Sequence, residues 1–108
     1  MAVILPVPIA TYFAADEDNT AGVAACLTAA GVVKDEGHTY AGRDAIARWK
    51  SEASGKYNYV SEPFACDKDG DRIIVTSRLT GTFPGSPIDL RYAFTLDGHK
   101  IAQLQIGA

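Results

Sequence analysis

The sequence predicts a single α+β domain in which three N-terminal helices pack into the hollow of a strongly curved, mostly antiparallel sheet. Three observations lead there. The first half of the chain spaces its apolar residues as helices do. The second half alternates apolar and polar residues with a period of two, and short clusters of turn residues separate the alternating runs. A length of 108 residues suits one domain, 1–108, and leaves no room for a second.

The elements follow in order. Pro6 or Pro8 suits the first turn of a helix, where the missing N–H would lack a partner anyway. Ile9, Tyr12, Phe13 and Asp16 then fall at i, i+3, i+4 and i+7, the stripe ending at the acid. Asp16, Glu17, Asp18 and Asn19 are expected at the N-terminus of a second helix, where negative charge meets the positive end of the dipole. That helix spans about 20–30, presents Val23 and Leu27, and stops at Gly31. Residues 31–37 read as a short strand and 38–42 as its exit. A third helix spans 43–53, with Ile46 and Trp49 on one face. Its polar side carries Arg43, Asp44, Arg48, Lys50 and Glu52, and Ser54-Gly55 ends it.

Four strands complete the chain, at 57–66, 72–83, 88–96 and 100–106, with turns at 67–71, 84–87 and 97–99. Ile88, Leu90, Tyr92, Phe94 and Leu96 alternate with Asp89, Arg91, Ala93 and Thr95, which means antiparallel pairing with one buried face. A long sheet twists. With helices to cover on one face only, it curls around them and leaves a concavity for a small molecule.

Composition narrows the function. The net charge is −3 and Lys and Arg form no cluster, which argues against a nucleic-acid partner. No apolar run reaches the roughly 18–20 residues that span a bilayer. The apolar stretch 1–15 lacks a positive start and is interrupted by Pro6 and Pro8, so it reads as an arm leading into the first helix. A cytoplasmic location is expected. Cys26 and Cys66 match no metal or redox spacing and read as free thiols. His38 and His99 make no metal site, and Asp67, Asp69 and Asp71 belong to a β-turn, because Gly70 comes too early for a calcium loop. With no phosphate-cradling or dinucleotide motif either, no metal and no cofactor is expected.

Four segments carry a resemblance. They are Ala10-Thr-Tyr-Phe-Ala14, Gly31-Val-Val-Lys-Asp-Glu-Gly37, Tyr40-Ala-Gly-Arg-Asp-Ala-Ile-Ala-Arg-Trp49 and Phe94-Thr-Leu-Asp-Gly-His-Lys-Ile101. Their order and spacing resemble the nuclear transport factor 2-like superfamily, in its SnoaL-like and ketosteroid-isomerase-like branch. The resemblance implies a cystatin-like cone, commonly a homodimer, with a pocket at its open end. The superfamily contains isomerases, cyclases, hydrolases, dehydratases and plain binding domains, so fold alone does not assign an activity.

Candidate residues come from the strand pattern and from the resemblance together. Asp35 shares a strand face with Val33 and so points inward, where an apolar pocket raises a carboxylate's pKa toward use as a base. The alternative is a solvated acid in a Lys-Asp-Glu turn. The resemblance implies that Asp35 is a proton-shuttling base and that Tyr12 donates a hydrogen bond to a developing enolate. It also implies an acid near Tyr92, yet that strand face offers only Ile88, Leu90, Phe94 and Leu96. His38 follows Asp35 closely enough to join it as an acid/base pair. Phe13, Tyr40, Trp49, Tyr57, Tyr59, Phe64, Tyr92 and Phe94 are candidates to line a pocket or to fill a core. Arg78 and Arg91 sit on polar strand faces, solvated or facing a dimer partner.

The expected function is that of a SnoaL-like small-molecule enzyme acting on a largely apolar or aromatic compound. Asp35 would serve as base with Tyr12 or His38 assisting, for isomerisation or aldol-type cyclisation. A non-catalytic binding module and a dimeric interaction domain are the alternatives.

Overall fold

The computed structural model describes residues 3–17, 22–56 and 58–107. Its elements run α1 (Val7–Glu17), α2 (Gly22–Ala25), β1 (Leu27–Asp35), β2 (His38–Ala41), α3 (Arg43–Lys56), β3 (Tyr59–Asp69), β4 (Arg72–Gly81), β5 (Ile88–Asp97) and β6 (Lys100–Gly107). The strands form one sheet in the order β2-β1-β6-β5-β4-β3. Each ladder is antiparallel except that between β1 and β6, which is parallel. The chain is therefore α+β with a curved, mostly antiparallel sheet and three helices, as its pattern predicts.

Register shifts interrupt three ladders, between Leu27 and Val32, Pro63 and Ala65, and Thr95 and Leu96. An extra residue on one strand bends it and increases its twist, which curls the sheet over the helices. The inner face supplies Val75, Leu79, Phe94, Ile101 and Leu104, and the helices answer with Ile9, Tyr12, Phe13, Ile46 and Trp49. Each such side chain contributes about 1.5–3 kcal/mol by leaving water. The outer face mixes polar side chains with exposed Val60 and Phe64.

The structure corrects several expectations. The second helix covers only Gly22–Ala25, and Leu27 already belongs to β1. Tertiary partners decide this: the Ile101 amide donates to the Cys26 carbonyl at 2.9 Å, and the Arg43 guanidinium donates to the Leu27 carbonyl at 2.9 and 3.3 Å. Gly31 does not end a helix. It sits inside β1 at the register shift, where a Cβ would meet the Leu27 Cβ at 2.8 Å. Residues 38–41 form β2 instead of an exit loop, and Asp67 and Asp69 extend β3 instead of starting a turn. Asp16 belongs to α1; Asp18, Asn19 and Thr20 lie outside the described residues. No described helix is long and apolar enough to cross a membrane.

Candidate functional site

The β1–β2 connection sets the position of Asp35. Glu36 and Gly37 take positive φ of 52° and 78°, as a two-residue hairpin turn requires, and Asp35 pairs in register with His38. Asp35 thereby shares the face of Val33, which is fully buried. The carboxylate is half-buried, so the inward reading applies. Trp49, on the buried face of α3, donates its indole N–H to Asp35 Oδ2 at 3.1 Å. Burial pushes the Asp35 pKa above the ordinary carboxylate value of 3.8; the Trp49 hydrogen bond opposes this, the Glu36 charge adds to it, and the Glu36 backbone N–H and His38 lower it.

Tyr12 reaches the same region from α1. It is 1% exposed, and no described residue hydrogen-bonds its hydroxyl. Its pKa lies well above the usual phenol value, first through burial, then through the nearby Tyr92, Tyr59, Asp35 and Cys26. A buried hydroxyl that no described residue hydrogen-bonds carries a desolvation cost of about 1–3 kcal/mol.

Tyr92 on β5 is also buried, which pushes its phenol up to about 12, while a hydrogen bond with Ser61 pulls the other way. Ser61 and Ser77 share a hydrogen bond of 2.6 Å, so Tyr92 rests on a small hydroxyl cluster. No second carboxylate stands on that face. Asp89 lies on the outer face and accepts two bonds from Arg78, which hold its carboxyl below the ordinary range.

The aromatic candidates divide. Phe13, Tyr12, Tyr92 and Phe94 pack edge to face, with centroids 5.1 Å apart for Phe13–Tyr92 and 5.5 Å for Tyr12–Phe94. Phe94 has no exposed surface. Tyr40 is half-buried beside Trp49, with ring centroids 5.9 Å apart, and both stand next to Asp35. His38 is exposed and makes no hydrogen bond to Asp35. Phe64 departs from the set: alternation along β3 from the buried Ser61 puts it on the outer face, where it is 49% exposed beneath the Arg78 guanidinium. Tyr57 lies outside the described residues.

One group escaped the sequence reading. Lys50, expected on the polar side of its helix, is 5% exposed and ion-paired with Asp16, itself 6% exposed. Tyr59 donates to Asp16 Oδ1 at 2.7 Å and accepts from Lys50 Nζ at 2.5 Å. Burial pushes the Lys50 ammonium down to about 8. The available signal was Asp16 itself, an acid in register with an apolar stripe, which has to be paired if it is buried.

Cys26 and Cys66 are free, and among the described residues no three His, Cys, Asp or Glu side chains gather to hold a metal. An open cleft of about 430 Å³ between the N-terminal arm and the β3–β4 hairpin includes neither Asp35 nor Tyr12.

A family model described as a SnoaL-like domain matches residues 9–104. Among solved structures, a protein of Sinorhizobium meliloti proposed to be a polyketide cyclase is 38% identical, with a TM-score of 0.90 over 95% of each chain. A protein of Catenulispora acidiphila with a ketosteroid isomerase-like fold, solved with trimethylamine, is 20% identical, with a TM-score of 0.84 over 97% of this chain and 87% of that one. A cystatin-fold protein from Novosphingobium aromaticivorans is 14% identical, with a TM-score of 0.76 over 94% and 95%. The last two likenesses establish fold alone. No curated protein sequence matches.

Proposed function

We propose, on the premise that this chain belongs to the SnoaL-like domain family, that it is a general acid–base enzyme of the isomerase or cyclase type. Its substrate is a small, largely apolar or aromatic carbonyl compound. Asp35 removes a proton from the carbon beside the carbonyl, and the Tyr12 hydroxyl donates to the oxygen as an enolate forms. The enolate then either takes the proton back at another carbon or attacks a second carbonyl to close a ring.

The observation that supports this reading is a half-buried Asp35 carboxylate within electrostatic range of the buried Tyr12 phenol. The carboxylate is half-buried and is held by the Trp49 indole N–H and by the Glu36 backbone N–H. Within its electrostatic reach stands a buried phenol with no protein partner. A base with a raised pKa next to an unused donor is what enolisation requires. The polyketide cyclase proposal for the Sinorhizobium meliloti relative supports a substrate rich in carbonyl groups.

The test uses a panel of β,γ-unsaturated cyclic ketones and aromatic 1,3-diketones. Asp35→Asn is expected to lower turnover by roughly 10²–10⁴-fold with the fold intact. An unchanged rate, or wild-type protein that converts none of the panel, removes the assignment. Ligands that stabilise the protein and are never converted would favour a binding module instead.

A further inference from the structure

We propose that Tyr59, with the Lys50 ammonium behind it, is a second hydrogen-bond donor of the same site and binds the substrate oxygen as it turns anionic. This rests on the reading of Asp35 as base and names the part of the substrate that Asp35 does not touch.

Three features converge. The first is the bridge: the Tyr59 oxygen accepts from Lys50 Nζ at 2.5 Å while its proton goes to Asp16 Oδ1 at 2.7 Å. Lys50 and Asp16 are buried, whereas Tyr59 is half-buried, so of the three side chains Tyr59 is the one with the most surface toward solvent. The second is placement. Tyr12 feels both Tyr59 and Asp35, so an oxygen seated against the Tyr12 hydroxyl has the two within electrostatic range. The third is the Trp49 indole, which joins the two ends of the site. Its N–H binds Asp35, and its ring centroid lies 5.5 Å from Lys50 Nζ.

The chemistry follows from charge. A phenol that accepts a hydrogen bond from an ammonium is a stronger donor than a free one. When a substrate oxygen arrives, the Tyr59 proton swings from Asp16 to that oxygen, Lys50 keeps donating to Tyr59, and Asp16 remains the counter-ion of Lys50. No covalent bond changes. The groups facing Lys50 are Asp16 from α1, Tyr59 from β3 and the Trp49 ring beside it. The ammonium is charged at neutral pH and loses its proton in mild alkali, so the donor weakens there. The ligand class is a planar conjugated oxyanion, an enolate or a phenolate.

Calorimetry with 2-naphthol, and with 2-methylnaphthalene as its shape match lacking the oxygen, tests the proposal. Tyr59→Phe leaves the Asp16–Lys50 pair in place. It is expected to bind 2-naphthol about 10-fold or more weakly, with unchanged affinity for 2-methylnaphthalene. Lys50→Met combined with Asp16→Leu removes both charges without orphaning either and is expected to show the same loss. Equal 2-naphthol affinity in Tyr59→Phe and wild type overturns the proposal, as does a wild-type protein that does not prefer 2-naphthol. Asp35→Asn keeps the preference. If that variant also kept full turnover, the base assignment would fail while the Tyr59 site stood.

Discussion

Trp49 donates its indole N–H to Asp35 Oδ2 across 3.1 Å, tying the third helix to the last residue of the first strand. The bond acts on ionisation in the direction opposite to burial: burial raises the Asp35 pKa and the N–H lowers it. Trp49→Phe removes the first of the lowering influences and leaves those of the Glu36 backbone N–H and His38. The acid limb of the pH–rate profile, below which Asp35 is protonated and idle, is then expected to move to higher pH. Carboxyl ¹³C titration of Asp35 in both proteins checks it, and an unmoved limb would mean that Asp35 is not the base.

The same shift has a stability consequence. Folding favours the neutral form of Asp35, since its pKa in the fold lies above the unfolded value of 3.8. The stabilisation it contributes is complete below that value and disappears as pH rises through the folded pKa. At pH 7 Asp35→Asn is therefore expected to melt at or slightly above the wild-type temperature. A clear fall in melting temperature would contradict the assigned environment.

Tyr12→Phe should separate stability from activity. Deleting a buried hydroxyl that has no partner removes a desolvation cost, so the variant is expected to gain about 1 kcal/mol in urea denaturation. Turnover is expected to fall roughly 10²–10³-fold, the usual loss for one donor to a developing oxyanion. A loss of stability would show that the hydroxyl is satisfied in the protein.

For the buried ion pair, Lys50→Met leaves Asp16 charged in the core and is expected to cost about 3–5 kcal/mol. Adding Asp16→Leu should restore most of that loss, because two apolar side chains replace two desolvated charges. Guanidinium unfolding of the single and double variants gives the comparison. A double variant no better than the single one would show that the two charges act independently.

Glycine substitutions rank in a definite order. At Gly81 a Cβ would stand 2.1 Å from the Asn58 carbonyl oxygen and 2.7 Å from the Tyr59 Cα, so backbone has to move. Gly81→Ala is expected to cost about 1–3 kcal/mol or more. At Gly37 nothing lies within 4 Å and only the positive φ of 78° resists a side chain, which costs about 1 kcal/mol. Thermal melts that rank Gly37 above Gly81 would contradict the close approach of β3 and β4.

The parts of the fold that were legible in the sequence are those governed by local period. The stripe Ile9, Tyr12, Phe13 fixes the buried side of α1, and the alternation from Ile88 to Leu96 fixes the inner face of β5. Leu27–Ala30 misled because their short-range preference is helical while their partners, Arg43 and Ile101, are distant in sequence. Asp35 was legible from its parity with Val33. Lys50 was not, because a lysine beside Trp49 reads as the polar flank of a helix until the acid from α1 is seen against it. Phe64 was named for its aromatic character alone, and alternation along β3 from the buried Ser61 puts it on the outer face.

The final strand, β6, lies in the middle of the sheet, between β1 and β5. During synthesis this has a cost in timing. Until residues 101–106 have emerged, β1 has only the short β2 hairpin to pair with, and its apolar side waits uncovered. The nascent chain can assemble its β3–β4–β5 meander early, yet the half that bears Asp35 has to stay open until residues 101–106 are made, since they supply its principal neighbour.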